Sequence, residues 1–229
     1  MSSLGSSYSA AARFRAAFVL LRADLRRLAF AGPAFAPALF FILAGVLFAI
    51  GAGGDNRFVA PVFAVLTLFA AALALNSIFE PDQHEERVPV LAVSVLSFGE
   101  CALVRILLHF VLTFPGLAVA LSLLFIFWGL PFGVWLPAVF ALGLACISLS
   151  ALAAWVAALL LGARRGVLLL GLVFLPLATP VLILLAAVFS SFISRDLDSA
   201  PVFQLLGAAA CFYAVLGLNG TALALRASF

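Results

Sequence analysis

The chain reads as long apolar runs separated by short polar clusters. Six runs, at residues 35–51, 58–78, 106–127, 136–161, 167–190 and 202–225, are long enough to cross a bilayer. A helix rises about 1.5 Å per residue and has about 30 Å of hydrocarbon to cover. The first run only just suffices, with Gly32 and Pro33 available upstream. In lipid every backbone N–H and C=O needs an internal partner, so such runs predict helices. A barrel would show repeated ten-residue alternation, and these runs are continuous instead. Ahead of them, Phe14, Phe18, Leu21, Leu25 and Leu28 recur at spacings of three and four, interleaved with Arg15, Arg22, Arg26 and Arg27. That is an amphipathic helix. Two placements are open to it: the headgroup layer, with its arginines on anionic lipid phosphates, or a seat against the bundle or a partner. Gly32 and Pro33 end it and allow the turn into the bilayer. The expected fold is an all-α polytopic membrane protein. Residues 1–32 carry the N-terminal amphipathic helix, and residues 33–229 form a six-helix transmembrane domain.

Composition adds the reason and the orientation. Of 229 residues, 67% are hydrophobic and 9% charged, with a mean hydropathy of +1.33. A soluble domain of this size has no interior able to hide so much apolar surface. All twelve basic residues are arginine. With six crossings, ten of them fall on the side of the termini: Arg13, Arg15, Arg22, Arg26, Arg27, Arg87, Arg105, Arg164, Arg165 and Arg226. Only Arg57 and Arg195 fall on the other. The positive-inside bias then predicts both termini in the cytoplasm of a bacterial cell, with the chain in its inner membrane. Cysteine placed at Ser6 or Ser228, in a background lacking Cys101, Cys146 and Cys211, should resist an impermeant thiol reagent in intact cells. Cysteine at Asn56 or Ser199 should react. Reaction of both termini from outside would overturn the orientation.

Several classes are excluded or disfavoured. The first apolar run begins near Ala34, late for a cleavable signal. No GxxxxGK[ST] occurs, and no stretch is long enough for a nucleotide-binding fold. Two histidines, His84 and His109, cannot form a multi-histidine metal site. The three cysteines are far apart and read as small apolar residues. Nucleic acid is not an expected partner.

The one dense polar segment runs from Glu80 through Asp82, Glu85, Glu86 and Arg87, followed by Val88, Val90, Leu91 and Val93, within a loop placed at residues 79–105. Five of the nine acidic residues lie there, Glu100 among them. It is either a solvated loop or a docking surface for a soluble partner. In the second case, carboxylates after Pro81 suit the first turn of a helix, and the following valines and Leu91 offer an apolar face. With no catalytic constellation in the chain, transport or assembly driven by another polypeptide is the expected role.

Inside the membrane, His109 stands four residues after Arg105, on the same face. It is expected to bond a neighbouring helix, with ligand contact as the alternative. The Arg105 side chain is expected to reach lipid phosphate. Asn76 and Asn219 are expected to bond between helices or cap them. Pro61, Pro115, Pro176 and Pro180 interrupt spans, the last two giving the strongest kink signal. Trp128 and Trp135 fit an aromatic belt.

Taken in order, Leu21-Arg-Ala-Asp-Leu-Arg26, Pro37-Ala-Leu-Phe-Phe41, Leu75-Asn-Ser-Ile-Phe79 with Asp82, Val104-Arg-Ile-Leu-Leu-His109 with Pro115-Gly116, Arg164-Arg-Gly166 through Pro176 and Pro180, and Ala222-Leu-Ala-Leu-Arg226 resemble the CcmB family over about residues 18–228. These are heme exporter protein B subunits of cytochrome c maturation. The resemblance implies an ABC-2-type transmembrane domain and no catalysis by this chain. It implies an ABC ATP-binding subunit (CcmA-like) that carries the ATP, and a second copy of the membrane subunit. CcmC-like and CcmD-like membrane proteins and a CcmE-like heme chaperone would be the other partners, with heme as the substrate of the complex. In the family an acidic residue stands where this chain has Asn76. Residues 84–89 lack the family's glycine and carry Pro89. An ABC-2-type exporter permease for lipid, polysaccharide or drug is the alternative, and a non-transporting membrane scaffold is another.

Overall fold

The computed structural model describes residues 10–29, 32–53, 55–75, 96–159, 166–194 and 199–228. Seven helices account for most of them: α1 (Ala10–Ala29), α2 (Gly32–Gly51), α3 (Val59–Ala74), α4 (Phe98–Phe127), α5 (Trp135–Leu159), α6 (Gly166–Ser194) and α7 (Ser199–Ser228). No strand occurs among the described residues. Five helices are long and apolar enough to span a bilayer, and the sixth apolar helix, over Phe35–Gly51, is shorter. The six apolar runs of the sequence therefore become α2 to α7, with shifted ends.

The largest shift is at α4, which begins at Phe98 rather than at Ile106. The cause is local. Ser97 and Glu100 form a capping box, in which the Ser97 Oγ accepts from the Glu100 amide (3.3 Å) and the Glu100 carboxylate accepts from the Ser97 amide (2.8 Å). Two amides that would lack partners at a helix start are thereby satisfied. At the other end of α4, Leu130 donates to the Phe125 carbonyl and Gly129 to that of Ile126. This closing pattern needs a left-handed residue, and Gly129 supplies it at φ 62°.

The prolines do not break the helices. Pro115 lies within α4, and Pro176 and Pro180 within α6, and both helices run through without interruption. No frayed turn forms at the Pro176–Pro180 pair. Pro61 is in the first turn of α3, where its missing N–H would have had no partner anyway.

α5 is the centre of the bundle. It packs against α3, α4, α6 and α7, and 72% of its most apolar stretch is buried, against 22% for α7. Lipid is as apolar as the protein core, so helices gain by close approach of small residues rather than by hydrophobicity. α5 supplies them in Ala138, Ala141, Gly143, Ala145, Ala151, Ala153, Ala154 and Ala157. Opposite, α7 presents Gly217 to the backbone of Ala151 and Gly220 to the ring of Trp155. Phe63 anchors a further cluster with Phe41, Trp128 and Phe189. Trp128 is thus a core residue, 4% exposed, and not part of a lipid-facing belt. Trp135 is half-buried and donates through Nε1 to Ser122 Oγ at 3.0 Å. Outward, Phe35, Leu39, Leu43, Leu47 and Ile50 form an exposed apolar stripe on α2, a face that only a bilayer or a membrane partner can cover.

Candidate functional site

Five of the buried polar residues form one group on and around the first half of α4: Arg105, His109 and Thr113 on that helix, with Asp24 and Ser150 facing them from α1 and α5. That half of the helix follows directly on the polar segment of the sequence. Arg105 does not reach outward. It is 2% exposed, and its Nη1 donates to Asp24 Oδ2 at 2.9 Å. The expectation of a lipid-phosphate contact is corrected by this pair: an acid on α1 meets the guanidinium inside the protein. Two desolvated charges offset their cost only with close geometry, which a 2.9 Å contact provides. Around it, Leu21 and Leu25 of α1 pack against Leu108 and Leu112 of α4. α1 thereby spends part of its apolar face on the bundle. Its other faces leave Phe18, Val19, Arg15, Arg22 and Arg26 exposed, a mixture suited to a headgroup layer.

One turn further, His109 is buried and bridges three helices. Its Nε2 lies 3.2 Å from the Ala71 carbonyl of α3, and its Nδ1 lies 2.8 Å from Ser150 Oγ of α5. A carbonyl can only accept, so Nε2 carries the proton and donates. Nδ1 then accepts from the Ser150 hydroxyl. The Ala71 carbonyl needs this donor because α3 ends there. The Leu75 amide, which would bond it in a longer helix, turns to Ala72 instead. Thr113 adds a bond from its hydroxyl to the His109 carbonyl at 2.7 Å. With both ring nitrogens engaged, the imidazole in this conformation has no lone pair for a metal. No group of three His, Cys, Asp or Glu suited to an ion occurs among the described residues. Cys101 and Cys146 are buried and Cys211 is exposed, and none of the three forms a disulfide.

Arg105 and His109 are therefore on one face, as their spacing predicts. Asn219 is not part of this cluster. It is exposed, and its amide donates to the Val215 carbonyl of its own helix at 2.8 Å, so it makes no interhelical bond here. Asn76, Glu80, Asp82, Glu85, Glu86, Arg87 and Leu91 lie outside the described residues. Asp24 is the residue that sequence reasoning missed. The signal was present: Leu21, Asp24, Leu25 and Leu28 share one helical face, and a carboxylate in an apolar stripe calls for a buried partner.

Fold and cluster together define a multi-pass helical membrane protein with buried polar ties at one end. The CcmB protein family model matches residues 15–228. The chain is 35% identical over 173 residues to heme exporter protein B of Paracoccus denitrificans, covering 72% of this chain and 78% of that protein. It is 32% identical over 169 residues to the Rhodobacter capsulatus protein of that name, with the same coverage. To that of Pseudomonas aeruginosa it is 34% identical over 175 residues, covering 73% and 78%. The chain belongs to the CcmB family.

Proposed function

We propose that this chain is the membrane subunit of an ABC-type complex that serves heme delivery for c-type cytochrome assembly. The family match across nearly the whole chain carries the reading. The six apolar helices and the lack of a nucleotide-binding motif support it. Energy then comes from a separate ATP-binding subunit, and this chain performs no catalysis. The arginine distribution favours cytoplasmic termini and an inner-membrane location. The polar segment lies on the same side, between α3 and α4, and is where we place the ATP-binding subunit. Glu80, Asp82, Glu85, Glu86 and Arg87 would supply charge to that contact, and Leu91 an apolar anchor. A second copy of this chain, CcmC-like and CcmD-like membrane proteins and a CcmE-like chaperone complete the assembly.

Glu85→Lys with Glu86→Lys tests the docking surface. Reversing two charges at a protein contact should lower co-purification of the ATP-binding subunit by about tenfold, equivalent to about 1.4 kcal/mol. Membrane insertion should be unchanged, and the defect should depend on salt. An intact complex with ATP hydrolysis still coupled would move the contact elsewhere. Failure of the wild-type chain to retain any ATP-binding protein in mild detergent would favour a scaffold.

A further inference from the structure

The exposed face of α7 carries a repeat of its own. Leu206, Tyr213, Gly217 and Thr221 turn into the bundle. On the outside lie Leu205, Ala208, Phe212, Val215, Asn219 and Ala222, at spacings that alternate between three and four residues. Arg226 continues the series. All are exposed except Ala222, which is half-buried. Leu205, Phe212, Asn219 and Arg226 therefore recur every seven residues, with smaller side chains between them. A helix with this repeat offers one straight seam to a second helix crossing it at a small left-handed angle.

Most of that seam is at home in lipid. Acyl chains are as apolar as leucine, so Leu205, Phe212 and Val215 do not by themselves call for protein. Asn219 does. α7 has 30 residues and is about 45 Å long, about 15 Å more than the hydrocarbon. With that excess shared between its ends, Asn219 lies about 6 Å inside the hydrocarbon at the Arg226 end. Its Nδ2 donates to the Val215 carbonyl at 2.8 Å, and among the described residues its Oδ1 accepts no hydrogen bond. Acyl chains cannot supply the donor that water would, so the amide oxygen needs one from another helix. A lone asparagine in such a seam is also the device that fixes the register of two helices.

Two kinds of helix can bring the donor. Two copies of this chain in one membrane share an orientation, so their α7 helices would run parallel and each position would meet itself about a two-fold axis. Asn219 would then be satisfied, but Arg226 would stand against Arg226, a disfavoured like-charge contact. A helix of a different protein can set an amide or hydroxyl against Asn219 and a carboxylate, two turns away, against Arg226. Resting on the function proposed above, we infer that the exposed face of α7 is the docking seam for a transmembrane helix of another membrane subunit of the complex, one that carries this polar and acidic pair. Asn219 sets the register and Arg226 supplies the charge at the end of the seam.

The test uses the whole complex, with the ATP-binding subunit and tagged CcmC-like and CcmD-like proteins present. Photoreactive benzoylphenylalanine is introduced at Phe212 or Val215 on the seam, and at Ile183, exposed on α6, as a control. Illumination should join the two seam positions, and not Ile183, to one of the two tagged membrane proteins. Asn219→Leu should leave the level of this chain unchanged, since leucine suits lipid, yet lower the adduct and the co-purified partner by about threefold to tenfold. Asn219→Gln should keep more than half of both. Arg226→Glu should also weaken the contact, and its effect should shrink as salt rises. Adducts only between two copies of this chain, or none in a complex that retains every subunit, would overturn the inference. So would a wild-type adduct yield from Asn219→Leu, which would make α7 a lipid-facing helix. A wild-type chain that retains neither the ATP-binding subunit nor either membrane protein would instead overturn the functional reading, and this inference with it.

Discussion

A chain carrying Gly217→Val should fail to accumulate in the membrane, while Gly207→Val on the same helix should accumulate as wild type. The difference is in what the new side chain meets. A Cβ at position 217 would lie 2.4 Å from the Ala151 carbonyl oxygen and 2.6 Å from its carbon, both backbone atoms of the central helix. Backbone cannot step aside as a side-chain tip can, so α5 and α7 must separate. Overpacking a tight core costs about 3 kcal/mol at the upper end of the usual range. Separation would also forfeit the small-residue contacts that hold membrane helices together. At position 207 a Cβ meets nothing within 4 Å, and valine costs little in an apolar surround. Quantitative blotting of membranes and thermal inactivation in detergent would check both. Equal accumulation of the two variants would mean that the α5–α7 contact tolerates a wider spacing than described.

His109→Leu should damage the protein and His109→Gln should largely spare it. Leucine fills the space but leaves the Ala71 carbonyl without its donor and the Ser150 hydroxyl without its acceptor. Each orphaned buried group costs about 1–3 kcal/mol. The hydroxyl can turn to its own helix, so the carbonyl at the end of α3 is the greater loss. Glutamine brings one amide donor and one carbonyl acceptor, enough to serve both partners. Holocytochrome yield by heme staining, at matched membrane levels of the chain, should stay mostly intact for the glutamine variant and fall by more than half for the leucine one. Equal abolition by both, with loss of a bound heme spectrum, would make the imidazole an iron ligand in the working complex, released from Ala71 and Ser150.

The spans were legible because hydrocarbon imposes length and continuity on a sequence, and the six apolar runs became six helices. The α4 boundary was not, because hydropathy sees Ile106 where the capping box acts at Ser97. Arg105 and His109 were legible as one face by their spacing. Their partners were not, since Asp24 lies 81 residues from Arg105 along the chain and Ser150 lies 41 from His109. Acids weigh little in topology, so the signal that Asp24 carries is its place in an apolar stripe, not its charge. Proline marked possible breaks by its chemistry, yet α4 and α6 are continuous through Pro115, Pro176 and Pro180. Nor could hydropathy separate core from lipid face, as both are apolar. Small-residue content does not separate them either, since α7 is as rich in Ala and Gly as α5 yet far less buried.

The length of α4 has a mechanical meaning. Its 30 residues make a rod of about 45 Å, against about 30 Å of hydrocarbon. About two turns stand before Ile106, and the opposite end is held by the Gly129 turn and the Phe63–Trp128 contact. With that end as pivot, a sideways displacement of about 5 Å at the base, shared with the helices tied to it, becomes a tilt of roughly 6° over that length. The far side of the membrane would then receive a rotation rather than a translation.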